Sequence, residues 1–350
     1  MSAPAKLPSG VLGRAVEVLG RHRLRFVDIG ARDGLPRHWD AVGAALDVVA
    51  FEPDPAEARR LADSFGRSGA SVQVLPAAVW NTAGRRTLYL TRSPGCSSLY
   101  EPRAGFLSQF PDARRFEVVE RHEVDTVLLD TVLERQPPVR FIKIDAQGGA
   151  LNILSGATET LASTLGAEIE VELAPMYEGE PLFGEVDAYL RARHFELVDL
   201  RPTYWRREAG RRVAGTRGQI VFCDTLYLLS PSAFADRVAA ADTGDAEHLC
   251  ASVLLVCEVY GLTDWAAAYA SALADRKLAT AMLDEYVAAH RPARLPAFPL
   301  RYQLGLWLKD VADGLVESSE TWGVAEQRLG SKPRLGRNLA GRIWRRLAKR

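Results

Sequence analysis

Between residues 24 and 173, short β-rich runs alternate with helix-patterned sequence, and this alternation restricts the fold more than any other feature. The runs cover residues 24–30 (LRFVDIG), 47–52 (DVVAFE), 71–79, 139–145 (VRFIKID) and 167–173 (AEIEVEL). After the second run, Asp54 is placed to cap a helix, Pro55 suits its first position and Glu57 completes a capping box. After the fourth, Gln147-Gly148-Gly149 leads into one helix with Leu151, Leu154, Ala157 and Leu161 on its apolar side. Residues 184–193 form another, with Val186, Tyr189 and Leu190 inward. Strands joined through helices need right-handed crossovers, which predicts a mostly parallel sheet covered on both faces. Two further runs, 195–200 and 219–229, are joined by an 18-residue loop (201–218) without helical pattern, so they are expected to pair antiparallel. Between the third and fourth parallel strands sits an insertion with strand-like 86–91, a Gly/Ser/Pro loop at 92–101 and a strand-like piece near 117–124.

From about residue 231 to 331 the chain turns Ala/Leu-rich and helical, with Leu249, Val253, Val256 and Tyr260 on one face and Leu278, Met282 and Tyr286 on another. The expected division is 1–230, 231–331 and 332–350. The helical part either covers the sheet or pairs with a second copy in a homodimer. Lys+Arg and Asp+Glu both number 44, so the formal net charge is zero. The zero is uneven: residues 332–350 hold eight bases and no acid, leaving a net −8 on residues 1–331. General nucleic-acid binding is therefore not expected of the body. In the tail, Leu335, Leu339, Ile343 and Leu347 recur four apart beside Trp344, a basic amphipathic pattern suited to peripheral contact with an anionic membrane. Gly336 and Gly341 weaken that helix, and a solvated tail or one docked on the acidic body is the competing reading. Four cysteines form no CxxC pair, no histidine stands at metal-ligand spacing, and neither a signal peptide nor a span of about 20 apolar residues is present. A reducing, cytoplasmic setting without a metal site is the expectation.

The chemistry concentrates at Asp28-Ile29-Gly30-Ala31-Arg32-Asp33-Gly34 and at Glu52, the end of the second strand. A glycine turn after the first strand with an acid on the next suits a nucleoside whose ribose hydroxyls meet the carboxylate. The turn reads GxxxG rather than GxGxxG, and Asp28 puts an acid where a cationic amino group is better served than a pyrophosphate. Both features disfavour an NAD(P) oxidoreductase. A generic α/β turn with a capping acid is the plainer alternative.

FVDIGARDG, VVAFEPDP, PAAVWNTAG, GCSSLYEP, VDTVL, FIKIDAQGGALNILSGA and RGQIVFCDTLYLL follow one another in that order. Together they resemble the FkbM-type family of S-adenosylmethionine-dependent methyltransferases across roughly residues 20–230. The resemblance implies an α/β, Rossmann-like class I methyltransferase sheet, to which the composition after residue 231 adds a C-terminal helical extension. It also implies O-methylation of a hydroxyl on a bacterial sugar, glycan or secondary metabolite. On this reading Asp28, Gly30, Ala31 and Gly34 surround the methionine part of the cofactor. Glu52 holds the ribose, Pro53 and Asp54 approach the adenine edge, and Ala78 and Val79 line the adenine at the end of strand three. Ser97 and Ser98 lie near the acceptor or cofactor. One departure stands out: the family often has a second acid where this chain has Ala150. That loss motivates the alternative of a cofactor-binding scaffold without turnover.

Asp145 at the carboxyl end of strand four is the expected base or orienting group, facing the transferred methyl; the competing reading is an acid that hydrogen-bonds the Gly148-Gly149 helix start. Glu172 is a second carboxylate on the same sheet edge, and two hard ligands alone do not make a metal site. Lys143 is placed to pair with an acid. Tyr177 follows strand five at the active end and is a candidate lining of the acceptor pocket. The loop 201–218 carries six arginines with Tyr204, Trp205 and Arg206 among its residues. Arginine forks and aromatic faces suit an anionic glycan, sugar nucleotide or carrier-linked sugar, with a solvated hairpin as the alternative.

Overall fold

The computed structural model describes residues 11–32, 34–65, 69–210, 218–290 and 323–325. The basic tail at 332–350, the helical sequence expected after 290, and Arg211, Arg212 and Arg217 lie outside them. Among the described residues, eleven strands fall into two sheets. The large sheet holds β1 (Leu24–Ile29), β2 (Leu46–Phe51), β3 (Ser71–Leu75), β7 (Val139–Ile144), β8 (Gly166–Glu172), β9 (Phe195–Trp205), β10 (Gln219–Leu229) and β11 (Gly323–Ala325). Its order is β11-β9-β10-β8-β7-β1-β2-β3. The β3-β2-β1-β7-β8 portion is parallel, and β10 runs antiparallel to both β8 and β9. The antiparallel strand is therefore internal, seated between β8 and β9. All six residues of β1 are buried, because both faces of a central parallel strand are covered.

The insertion builds the small sheet, β4 (Ala78–Val79), β5 (Gly84–Thr91) and β6 (Val118–Val127), in the order β4-β6-β5. This corrects the single third strand expected over 71–79. The run breaks at Pro76, whose missing N–H cannot continue a ladder, and Ala78 and Val79 change sheets to pair with Thr126 and Val127.

The helices are α1 (Val11–Arg21), α2 (Pro55–Phe65), α3 (Ala104–Leu107), α4 (Leu129–Leu133), α5 (Ala150–Ser155), α6 (Thr158–Ser163), α7 (Phe183–Arg191), α8 (Pro231–Ala240), α9 (Thr243–Tyr260), α10 (Thr263–Asp275) and α11 (Ala281–Ala289). The one helix expected after Gly149 is two, α5 and α6, split near Gly156. A Cβ there would stand 2.4 Å from the carbonyl oxygen of Trp80, so the close crossing of the two backbones demands glycine. Leu278 lies between α10 and α11, while Met282 and Tyr286 sit buried on α11.

Helices α8 to α11 cover the sheet of their own chain and share its buried core. Residues 249–257 of α9 are buried without interruption, the signature of a helix enclosed on all sides. Phe26 of β1, Phe141 of β7, Trp39 and Tyr260 of α9 form an aromatic cluster with neighbouring centroids 5.0–6.0 Å apart. Tyr269 closes the join by donating to the Leu229 carbonyl at 2.7 Å. No helix among the described residues is long and apolar enough to cross a membrane.

Candidate functional site

A cleft opens at the carboxyl ends of β1, β2 and β7, with the insertion as its opposite wall. It encloses about 850 Å³, the open solvent at its mouth included. Ile29, Phe51, Pro53, Ala78, Val79, Trp80, Leu88 and Leu90 make apolar walls, and Arg32, Glu52, Asp145 and Gln147 bring the larger polar side chains. Gly30, Ser97 and Ser98 also border it.

Gly30 adopts φ +78°, and a Cβ at that position would stand 1.8 Å from the carbonyl oxygen of Asp145. Its glycine identity is thus imposed by the approach of the β1 turn to the end of β7, where Asp145 N–H also donates to the Ile29 carbonyl at 2.9 Å. The N–H groups of Gly30 and Ala31 both point to the Phe51 carbonyl, at 3.1 and 3.2 Å. Gly34 N–H closes the turn on the Ala31 carbonyl at 2.7 Å. Ala31 and Gly34 build the turn and do not border the cleft, contrary to their expected place around the cofactor.

Glu52 is buried, and its Oε1 accepts the Asp54 N–H at 2.9 Å. Burial pushes its carboxyl above the ordinary range, against the Asp54 hydrogen bond and the nearby Arg32 charge. Arg32 Nη2 lies 3.8 Å from Glu52 and 3.7 Å from Asp54. Asp54 does cap α2, accepting from Ala56 and Glu57 N–H at 2.9 and 3.3 Å. The expected capping box is only half made, because Glu57 turns its carboxylate to Arg60. Asp54 shapes the exit from β2 and is not a cleft residue.

At the other end, the Asp145 side chain is 39% exposed, the most open of the carboxylates near the β7 terminus. Lys143 Nζ stands 3.6 Å from its Oδ2 and 3.2 Å from Asp28 Oδ1. Asp28 itself is fully buried beneath Lys143, outside the cleft lining, with Oδ2 lacking a protein hydrogen-bond partner. Desolvation raises its carboxyl despite the lysine. The expected Lys143 ion pair is present, and the expected Asp28 contact with the cofactor is replaced by support from behind.

Gln147, not singled out from the sequence as a site residue, is the node of the network. Its φ is +33°, and its Nε2 donates to Asp145 Oδ1 at 3.2 Å and to Glu170 Oε1 at 2.5 Å. Tyr177 Oη lies 3.0 Å from Gln147 Oε1 and equally 3.0 Å from the Cys96 carbonyl. Ser98 Oγ donates to the Gln147 carbonyl at 2.6 Å, and Ser97 Oγ accepts Thr91 N–H at 3.1 Å. Ser98 therefore ties the insertion to the turn after β7, while Ser97 braces the insertion on its own strand β5.

The structure places the other expected site residues as follows. Glu172 is buried below the turn after β7, accepts Gly148 N–H at 2.7 Å and does not border the cleft. It sustains the helix start, the role weighed for Asp145. Tyr177 is 1% exposed, and its hydroxyl meets the cleft wall through Gln147 and the Cys96 carbonyl. The loop after β9 is shorter than expected because β9 continues to Trp205, placing Arg201, Tyr204 and Trp205 in the strand. Trp205 is buried among Phe110, Phe116 and Phe222, with the Arg115 guanidinium 4.7 Å from its ring centre, and presents no open face for stacking. Tyr204 and Arg206 are half-buried and outside the cleft lining. Arg201 pairs with Asp199 at 3.5 Å, while Arg207 donates to Gln109 and Gln219. Among the described residues, no group of three or more His, Cys, Asp or Glu side chains is placed to hold a metal ion.

Residues 28–197 match the family described as the methyltransferase FkbM domain. No curated protein matches the sequence. Among solved structures, TehB from Haemophilus influenzae is similar at 10% identity and a TM-score of 0.33, over 62% of this chain and 61% of that one. This chain thus spans about three-fifths of TehB's length. Precorrin-6y C5,15-methyltransferase from Geobacter metallireducens is similar at 10% identity and a TM-score of 0.30, over 65% and 94%. Magnesium protoporphyrin IX methyltransferase from Synechocystis, solved with bound S-adenosylmethionine, shares 8% identity at a TM-score of 0.30, over 62% and 77%.

Proposed function

Residues 28–197 match the methyltransferase FkbM domain, and on that premise we propose that the chain methylates a hydroxyl group using S-adenosylmethionine. One observation carries the reading: a single apolar cleft has the buried carboxylate of Glu52 on β2 and the open carboxylate of Asp145 after β7. β1 lies between those strands, so their spacing is about 10 Å. The residues fit the cofactor. Glu52 would accept the ribose hydroxyls, Pro53, Ala78, Val79 and Leu88 would flank the base, and Asp145 would stand toward the sulfonium. When bound, S-adenosylmethionine supplies an already electrophilic methyl group.

The protein's own work is then to align an acceptor hydroxyl and take its proton. Asp145 suits both tasks, being open to the cleft and oriented by Gln147. Positioned proton removal of this kind contributes about 10²–10⁴-fold. A sugar or carrier-linked sugar is the proposed acceptor class. Any negative charge it carries would be met by the arginines that follow β9, Arg206 among them, and the basic segment 332–350 would hold the chain at an anionic membrane surface. These two assignments rest on sequence pattern.

Calorimetry with S-adenosylmethionine, S-adenosylhomocysteine and NAD tests the cofactor, and release of S-adenosylhomocysteine across a panel of glycans tests the transfer. The second reading, a module that binds cofactor without turnover, draws on the apolar Ala150 buried at the start of α5. It predicts binding in the first experiment and no acceptor-dependent product in the second.

A further inference from the structure

The Gln147 side chain has both ends engaged, and its partners belong to three separate segments. Its amide nitrogen contacts Asp145 and Glu170, on β7's exit and on β8, while its oxygen meets the Tyr177 hydroxyl beyond β8. A primary amide has two N–H groups, and two carboxylates consume both. The backbone at Gln147 takes a positive φ, a conformation uncommon for such a residue, and the Ser98 hydroxyl secures its carbonyl. The consequence falls on Asp145. Lys143 is in hydrogen-bond contact with Asp28 at 3.2 Å but stands 3.6 Å from Asp145. The amide holds Asp145 Oδ1, so the carboxylate stays open to the cleft and its pairing with the lysine stops at 3.6 Å, short of hydrogen-bond contact.

We propose that Gln147 is a positioning residue that keeps the Asp145 charge turned toward the cleft, so that the site favours the cationic sulfonium of the methyl donor over the neutral thioether product. This rests on the cofactor reading above and adds a residue and a selectivity to it. Donor and product differ by one methyl group and one positive charge. A carboxylate held 3.6 Å from the lysine and open to the cleft still attracts that charge, whereas one drawn into hydrogen-bond contact with the lysine is more fully neutralised. The remaining contacts of the two molecules are shared.

The test is calorimetric titration of S-adenosylmethionine and S-adenosylhomocysteine into the full chain and its Gln147→Asn, Asp145→Asn and doubly substituted forms. Asparagine tolerates a positive φ but is one methylene too short to bridge both carboxylates. Gln147→Asn is expected to weaken the donor about tenfold, the scale of a hydrogen bond to a charged group, and to leave the product within about twofold. In the Asp145→Asn background it should no longer alter the ratio. A merely structural role would weaken both molecules together and do so in either background, and that result overturns the proposal. Product binding reports an intact cleft, and Gln147→Met is the second variant, with the same expectation, should Gln147→Asn fail to fold. If the parent chain binds neither molecule, the cofactor reading itself fails; if it binds both with a ratio that no variant moves, only the positioning role fails.

Discussion

The carbonyl oxygen of Asp145 lies 1.8 Å from where a Cβ on Gly30 would be, so the turn after β1 and the end of β7 meet backbone to backbone. Gly30→Ala therefore has two costs, a left-handed φ of about 1–3 kcal/mol and an overlap that only separation of the two strands relieves. We expect a lowered Tm by thermal denaturation together with loss of S-adenosylmethionine binding. A stable, binding-competent variant would show that the two strands move apart freely.

Glu52→Gln tests the proposed ribose contact. The variant keeps an oxygen for Asp54 N–H but removes the charge that would accept two hydroxyls. Hydrogen bonds to charged groups are worth about 1.5–3 kcal/mol, so calorimetry should show a loss of roughly 10–100-fold. Donor and product should suffer equally, in contrast to the Gln147 variants, with Tm little changed.

A pH effect on stability follows from the two carboxyls beneath the turn after β7. Burial and the neighbouring Glu180 raise Glu172 to about 8 from an ordinary 4.5. Burial likewise raises Glu180 to about 7, against its hydrogen bonds from Tyr177 and Met176 N–H. The folded chain thus holds protons that the unfolded chain releases, so this contribution is complete below about pH 4.5 and is lost as pH rises toward about 8. Glu172→Gln keeps an acceptor for Gly148 N–H and cannot ionise. The fall in Tm across that window should flatten in the variant, and an unchanged slope would place the titration elsewhere.

Trp205→Ala separates packing from recognition. Removing a buried indole costs about 3–5 kcal/mol, which denaturant titration would register. An unchanged stability with weakened acceptor binding would return Trp205 to the recognition role its sequence context suggested.

The parallel part of the sheet was legible because both-face burial writes continuous apolar runs, as in β1 and β7. The far half of β9 was hidden by its own composition: Pro202 and the surrounding arginines read as loop. Among the described residues the outer neighbour β11 pairs with residues 203–205 and stops short of Pro202, and an unpaired edge position tolerates proline. Glu52 and Asp145 were legible as acids ending strands. The burial of Asp28 was not legible, because no pattern tells a carboxylate facing a cleft from one buried under a lysine. Gln147 carried a faint signal, its place before two glycines in a turn, but a neutral amide announces no chemistry until its partners are known.

The most direct test of the central claim is titration of S-adenosylmethionine and, separately, NAD into the full-length protein and its Glu52→Ala variant by calorimetry. The account predicts one site per chain for S-adenosylmethionine, abolished or severely weakened by the substitution, and no binding of NAD. Binding of NAD in place of S-adenosylmethionine, or S-adenosylmethionine binding indifferent to Glu52, would contradict it.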